Sequence, residues 1–314
     1  MLNSRGFAIL FTIGVAALTI RTTLDSEFRN STLLYILIPF GLSVLLQTLT
    51  PRSTTDRAFW RYVNHLRDGT IVMLATSAFL FEGFLCVLMF MPIYYFGITC
   101  GFLFARSREK RKDARLQNDF RAFAIPALVL MLSLEGMADP LTFARYREAT
   151  HVEVIEGSID QLQANMARPI SLPAERQWFL SLFPLPTDVK AGTLRVGDVH
   201  TMHFTYKRWF FANYHEGDMA LRIAAVSPDH IRTEIVRNTS YLSHYMKIEG
   251  TDVRFRDLGG GRTRVALTIR YRRLLDPYWY FGPMQQFATE QSAQYLIDTI
   301  IRRERRELTG GENG

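Results

Sequence analysis

The sequence predicts two parts: a multi-pass α-helical transmembrane region, then an α+β domain in which a curved antiparallel sheet grips one long C-terminal helix. Three observations predict it. Residues 1–138 hold several uninterrupted apolar runs, whereas residues 151–314 mix charge and hydrophobicity as a soluble domain does. Between residues 151 and 273, several segments alternate apolar and polar residues with the period of half-buried strands. The last of these feeds a stretch at helical spacing that ends in Arg302-Arg303-Glu304-Arg305-Arg306.

The chain has 314 residues, room for about two domains. Its formal charge is +7, with sixteen basic against eleven acidic residues up to Thr150 and twenty-one against nineteen after it. The basic excess thus lies beside the apolar runs. That is the pattern of a membrane-topology signal, not of a nucleic-acid footprint, and no nucleic-acid partner is expected. Cys86 and Cys100 both fall inside an apolar run and read as small buried thiols.

Taken in order, residues 6–20 are apolar between Arg5 and Arg21. They are short for a span, but flanking arginines extend its reach. A signal peptide is the alternative, although no small-residue cleavage site follows. Residues 33–49 form a second span. Residues 71–105 would reach about 50 Å as one helix against a bilayer core of about 30 Å. Two helices in a hairpin, broken at Glu82-Gly83 or Met91-Pro92, fit better. Residues 121–138 supply a last span, ending the membrane region near residue 140.

The loops 51–67 and 106–121 are rich in arginine and lysine. The positive-inside rule places both in the cytoplasm, so the last span delivers the following domain to the outer side. For a bacterial inner membrane that is the periplasm; a single crossing by residues 71–105 would leave the domain cytoplasmic. Glu82 and Glu135 lie in apolar surroundings, each before a glycine. Intramembrane carboxylates are costly and mark candidate sites. Glu82 is the sharper candidate; Glu135 reads as a helix-end residue.

The second domain is expected over residues 150–306, with 307–314 a disordered tail. Residues 151–158 read as a first strand and 159–166 as a helix, followed by a proline-broken stretch containing Trp178 and Phe179. Strand candidates follow at 199–208, 219–226, 230–237, 242–255 and 264–273, with turns at Glu216-Gly217-Asp218, Ser227-Pro228-Asp229 and Gly259-Gly260-Gly261. In the last strand Val265, Leu267, Ile269 and Tyr271 point one way, and Arg264, Thr268, Arg270 and Arg272 the other. Asp276-Pro277 stops it, and Pro283 suits a helix start. A sheet curled around such a helix need not close completely, which leaves an apolar cavity.

The segments LRVGDVHTMHF, GRTRVALTIRY and LLDPYWYFGPMQQFATEQSAQYLIDTI, in this order of elements, resemble the SRPBCC superfamily, also called START-like or Bet v 1-like. More narrowly, they resemble the bacterial membrane-anchored SRPBCC proteins. The resemblance covers about residues 150–305 and implies a helix-grip fold. It also implies a hydrophobic ligand, such as a lipid or isoprenoid-like molecule, bound or transferred within the grip. It supplies no catalytic motif, and no cofactor is expected.

Candidate cavity residues follow from strand phase. They are Met202, Phe204 and Tyr206, then Leu221 and Ile223, then His244 and Met246. Leu267, Ile269 and Tyr271 continue the set, with Phe287 and Tyr295 on the helix. His200 and His203 are three apart on a strand, face opposite sides and cannot easily share a metal. Trp279 and Tyr280 read as a hydrophobic corner. Asp298 is placed to meet an arginine. GxSxG, HExxH and CxxC are absent, which weakens an enzymatic reading without excluding acid–base chemistry in the cavity. The expected function is therefore membrane-anchored binding of a hydrophobic ligand. An enzyme acting on a small hydrophobic substrate, or a membrane-recruited interaction module, are the alternatives. Oligomeric state is left open.

Overall fold

The computed structural model describes residues 36, 40–41, 43–44, 58–79, 84–113, 127–129, 131–132, 134–136, 139–172, 180–184, 186–209 and 212–303. The span expected at 6–20, Glu82, the Trp178–Phe179 cluster and the tail 307–314 lie outside them. Of the spans at 33–49 and 121–138 only isolated positions are described. The chain divides into two compact units, one of Met1–Phe143 with Leu275–Phe281, the other of Ala144–Leu274 with Gly282–Gly314.

In the first unit, α1 (Ala58–Phe79) and α2 (Phe84–Asp113) run antiparallel. Pro92 sits inside α2 without ending it, and the other expected break, Glu82-Gly83, lies outside the described residues. Residues 58–67, expected in a basic loop, are instead the first turns of α1, so Arg61 and Arg67 stand on a helix. Gly69 lets the helices close: a Cβ there would lie 2.3 Å from the Ile98 side chain. Hydroxyls stitch the seam. Thr70 donates to Leu66 O at 2.7 Å, so its bond with Tyr95 at 2.8 Å is donated by the phenol. Thr99 likewise donates to Tyr95 O, and Tyr62 donates to Thr99 at 2.9 Å. Among the described residues no helix is long and apolar enough to cross a membrane. The expected transmembrane region finds no support there.

The segment Leu275–Phe281 belongs to this unit. The Tyr278 N–H donates to Glu135 Oε1 at 2.9 Å, and Tyr280 donates to Met89 O at 2.7 Å. Trp279 packs edge-on against Phe96. Glu135 lies in the turn that follows helical residues, as expected, and is buried, where its role as an acceptor accounts for a carboxylate in an apolar run.

The second unit is built on one antiparallel sheet, in the order β1-β8-β7-β6-β5-β4-β3-β2. Its strands are β1 (Tyr146–Glu156), β2 (Ile170–Ser171), β3 (Pro186–Lys190), β4 (Val199–Trp209), β5 (Ala212–Ser227), β6 (His230–Asn238), β7 (Met246–Asp257) and β8 (Arg262–Arg273). Helix α3 (Ile159–Met166) starts at a capping box formed by Ser158 and Gln161. Helix α4 (Tyr278–Leu296) continues as a π-helical turn over Ile297–Arg302. The glycines 259–261 all take positive φ, as the β7–β8 turn requires. Register shifts in β3, β5 and β7 add bulges that bend the strands.

Alternation in β8 holds as expected. Val265, Leu267 and Ile269 join Ile223, Ile231, Val253 and Phe255 in a core against Ala293, Ile297 and Ile301 of the closing helix. The helix end is fixed by charge: Arg302 pairs with Glu153 of β1 and, at 2.8 Å, with Asp298 one turn earlier.

Candidate functional site

The inward faces of β4 and β5 carry the candidate site. Their register places Tyr206 opposite His215, Phe204 opposite Gly217, and Met202 opposite Met219. Phe204, Met219 and Leu221 form an apolar floor, with Met202, Ile235 and Ile248 against it. At one end of this floor the surface turns aromatic and polar.

Gly217 determines how. A Cβ at this position would lie 2.3 Å from Thr239 O. Only glycine lets the backbone that follows β6 lie across β5. Asn238 Oδ1 holds this crossing by accepting from the N–H and the hydroxyl of Ser240, at 3.0 and 2.7 Å. The chain then forms a 3₁₀ turn, Tyr241–His244, which drives Tyr241 inward to 4% exposure. The Tyr241 ring stacks on Tyr206 at 4.9 Å and meets His215 edge-on at 5.5 Å. His244 and Tyr245 complete the cluster, 5.3 and 5.6 Å from Tyr241.

The hydrogen bonds assign part of the chemistry. The two phenols of Tyr241 and Tyr245 are bonded at 3.0 Å. His244 Nδ1 lies 3.1 Å from Tyr241 O; a carbonyl only accepts, so Nδ1 carries the proton and Nε2 is the free lone pair of the neutral ring. From α4, Gln285 donates to Tyr245 O at 3.1 Å. Gln285 is 6% exposed, and its Oε1 has no hydrogen-bond partner among the described residues. His215 Nε2 is likewise buried and unpartnered among them. Phenols, imidazoles and an amide at the end of an apolar floor can hydrogen-bond a polar head and bury a hydrophobic body.

The residues expected from strand phase distribute as follows. Met202, Phe204, Tyr206 and Leu221 are on this floor or its aromatic end. Ile223, Leu267 and Ile269 are in the core against the closing helix. Met246 and Tyr271 pack with Ala149, and the Tyr271 phenol donates to Gln286 Oε1 at 3.2 Å. Tyr295 packs with Leu172, Leu180 and Val189. Phe287 is 50% exposed. His244 reaches the cluster, but from a 3₁₀ turn, not from a strand. Sequence phase misses His215, Tyr241, Tyr245 and Gln285. The signal for His215 was present: it is in phase with Met219 and Leu221, but reading 216–218 as a turn cut β5 short.

A second feature flanks the sheet. A groove of about 500 Å³ runs between α3, at Asp160, Gln163 and Ala164, and the loop at Gly192, Thr193 and Leu194. Leu194 also packs on the main core. Asp198 ties this loop down: Thr193 donates its hydroxyl, and Arg195 its N–H at 3.2 Å, to the same carboxylate oxygen. The Thr193 bond, assisted by Arg195, holds the carboxyl below its usual range. His200, buried on the inner face, donates Nε2–H to Thr193 O at 2.9 Å. His203 points outward and bonds Asp218 at 2.8 Å, so the two histidines do face opposite sides. Among the described residues no group of three or more His, Cys, Asp or Glu is placed to hold a metal ion.

No protein-family model and no curated protein matches the chain. Among solved structures it is similar to the major latex-like protein 151 of Panax ginseng, at 15% identity over 49% of this chain and 99% of that one, TM-score 0.29. It is also similar to the Zhui aromatase/cyclase of Streptomyces sp. R1128, at 13% identity over 54% of this chain and 99% of that one, TM-score 0.32. A START superfamily protein of Mycobacterium smegmatis gives 9% identity over 50% and 95%, TM-score 0.31. Likeness at this level bears on neither ligand nor activity. The chain's own strand order, with the closing helix packed on the inward face, is a helix-grip arrangement.

Proposed function

We propose that this domain binds a hydrophobic molecule with a polar head, the body on the Phe204–Met219–Leu221 floor and the head at the Tyr206–His215–Tyr241 cluster. One observation carries the reading. Two buried polar atoms, His215 Nε2 and Gln285 Oε1, have no partner among the described residues. One belongs to the aromatic cluster itself and the other to the amide that caps Tyr245. Buried polar groups are ordinarily satisfied, and leaving one unmade costs about 1–3 kcal/mol. A ligand offering an acceptor or hydroxyl to His215 and a donor to Gln285 removes that cost. The groove beside Leu194 is the proposed way in.

We further propose that the N-terminal half attaches the domain to a bacterial inner membrane and that the ligand is a membrane lipid or an isoprenoid-like molecule. Support comes from the sequence, where no residue from Phe84 to Phe104 carries a formal charge, and from apolar side chains exposed on α1, among them Phe59, Trp60 and Ile71. Hydroxyl bonds along the α1–α2 seam accord with helices packed within a bilayer. The basic run after Phe104 favours a periplasmic domain; a cysteine added at the C-terminus should then react with a membrane-impermeant maleimide in intact spheroplasts.

Native mass spectrometry of the detergent-purified full chain, with lipid extraction, tests the binding. A reproducible co-purifying molecule, lost in Leu221→Trp with the thermal melt retained, is the expected result. No adduct from any expression host would overturn it. An enzymatic reading is favoured by the same unpartnered His215 nitrogen, which could take a proton from bound substrate. Turnover abolished by His215→Phe, with binding kept, would single it out.

A further inference from the structure

The outward face of the sheet carries arginines that the inward site does not use. Arg256 of β7 stands directly opposite Arg264 of β8, and Arg254 stands between His230 of β6 and Ala266 of β8. All three arginines are exposed, and among the described residues none of them forms an ion pair. Like charges directly opposite on neighbouring strands destabilise the pairing. Two other arginines of the sheet are neutralised: Arg270 is paired with Asp252 at 2.8 Å, and Arg222 with Glu234 at 3.2 Å. The unneutralised trio lines one groove of about 750 Å³, together with Ser227, Asp229 and His230. Asp229 is the one carboxylate in that lining, and it accepts the Ser227 hydroxyl at 3.0 Å. His230 gives its Nε2 to Asp252. Three guanidiniums against one carboxylate leave the groove cationic.

We propose that this groove binds a phosphate-bearing anion, clamped between Arg256 and Arg264 with Arg254 as the third ligand. Guanidinium presents a planar fork of donors that matches phosphate oxygens two at a time. Two forks facing each other across adjacent strands reach a tetrahedral anion from two sides, and the anion removes their mutual repulsion. Val152 and Val154 of β1, opposite Ala266 and Arg264, are exposed beside the trio. They give the site an apolar edge on which a sugar, base or glycerol moiety can rest. The shared chemistry, a phosphate on a partly apolar carrier, has two sources: a soluble phosphate compound, or the headgroup of an anionic phospholipid.

Arginine-directed labelling of the full-length protein with phenylglyoxal, read peptide by peptide by mass spectrometry, tests the site and separates the sources. At constant ionic strength, millimolar inorganic pyrophosphate should slow labelling of Arg254, Arg256 and Arg264 about tenfold, while Arg222, paired with Glu234, serves as the unprotected reference. Protection by phosphatidylglycerol vesicles but not by pyrophosphate assigns the headgroup; protection by pyrophosphate assigns the soluble source. Either supports the site, and vesicles of phosphatidylcholine should do nothing. Arg256→Ala should reduce the protection of Arg264 about tenfold, the effect of losing one charge-assisted contact. Its thermal melt should rise or stay unchanged, since it relieves a like-charge pair. Labelling of all three arginines that ignores both pyrophosphate and anionic vesicles, or that is slowed equally by chloride, would overturn the proposal.

Discussion

Tyr206 and Tyr241 stack at 4.9 Å with their rings 18° apart, although thirty-odd residues and two strands separate them in sequence. The contact joins a strand of the floor to the turn that closes over it. Tyr241→Ala should therefore cost about 3–5 kcal/mol, the usual loss for a buried aromatic. Tyr241→Phe, which keeps the ring and removes the bond to Tyr245, should cost about 1 kcal/mol. Chemical denaturation of the two variants measures the difference. Equal losses would mean that the stack contributes nothing.

Gly217 has no conformational reason to be glycine; it is glycine because Thr239 O occupies the place of its Cβ. Gly217→Ala should cost about 1–3 kcal/mol through the forced backbone shift, and it should shift near-ultraviolet dichroism as Tyr241 moves. Gly192→Ala is the control: nothing lies within 4 Å of the added carbon, and stability should stay within about 0.5 kcal/mol.

Glu135 accepts the Tyr278 N–H at 2.9 Å from a buried position. Replacement by alanine removes that acceptor from a buried N–H and should cost about 1–3 kcal/mol. Amide hydrogen exchange should accelerate at Tyr278, while the β7 and β8 amides remain protected. Unchanged exchange at Tyr278 would contradict the assignment.

Two titrations have opposite signs. Burial raises the Tyr280 phenol, so the folded state favours the neutral ring. Its contribution is fully present below the unfolded value of about 10 and is lost as pH rises through the higher folded value. Tyr280→Phe should flatten the alkaline limb of the stability profile. Asp198 is shifted down, first by Thr193 and then by Arg195. Its contribution is present above the unfolded value of about 4 and is lost as pH falls through the folded one. Because the carboxylate is solvent-exposed, the effect should be small and screened by salt. Asp198→Asn should speed exchange of the Arg195 amide at neutral pH and leave the core amides unchanged.

The sheet and its closing helix were legible because β8 alternates without a break from Val265 to Tyr271 and glycines 259–261 mark its turn. Asp298 could be matched to an arginine for the same reason: helical spacing puts Arg302 one turn on. The site was only half legible. A glycine between acidic residues reads as a turn, yet at Gly217 the strand runs straight through, and the glycine serves a chain crossing that local sequence does not encode. His244 was given a strand phase because Leu242, Met246 and Ile248 alternate around it. Ser240, whose hydroxyl is held on Asn238, instead precedes a 3₁₀ turn there. Gln285 carries no signal at all, since a polar residue on an amphipathic helix shows its burial only when the opposing strand is known. β2 and β3 were hidden among prolines.

Photolabelling tests the central claim most directly: that an apolar molecule lies on the inward face of β4 and β5 with its head at Tyr241. A diazirine-bearing fatty acid, irradiated with the full-length protein and mapped by peptide sequencing, should label 202–206, 215–221 and 241–246, and labelling at the last segment should fall in Gly217→Ala. Labels confined to α1 and α2, or spread evenly over the outward face of the sheet, would contradict it.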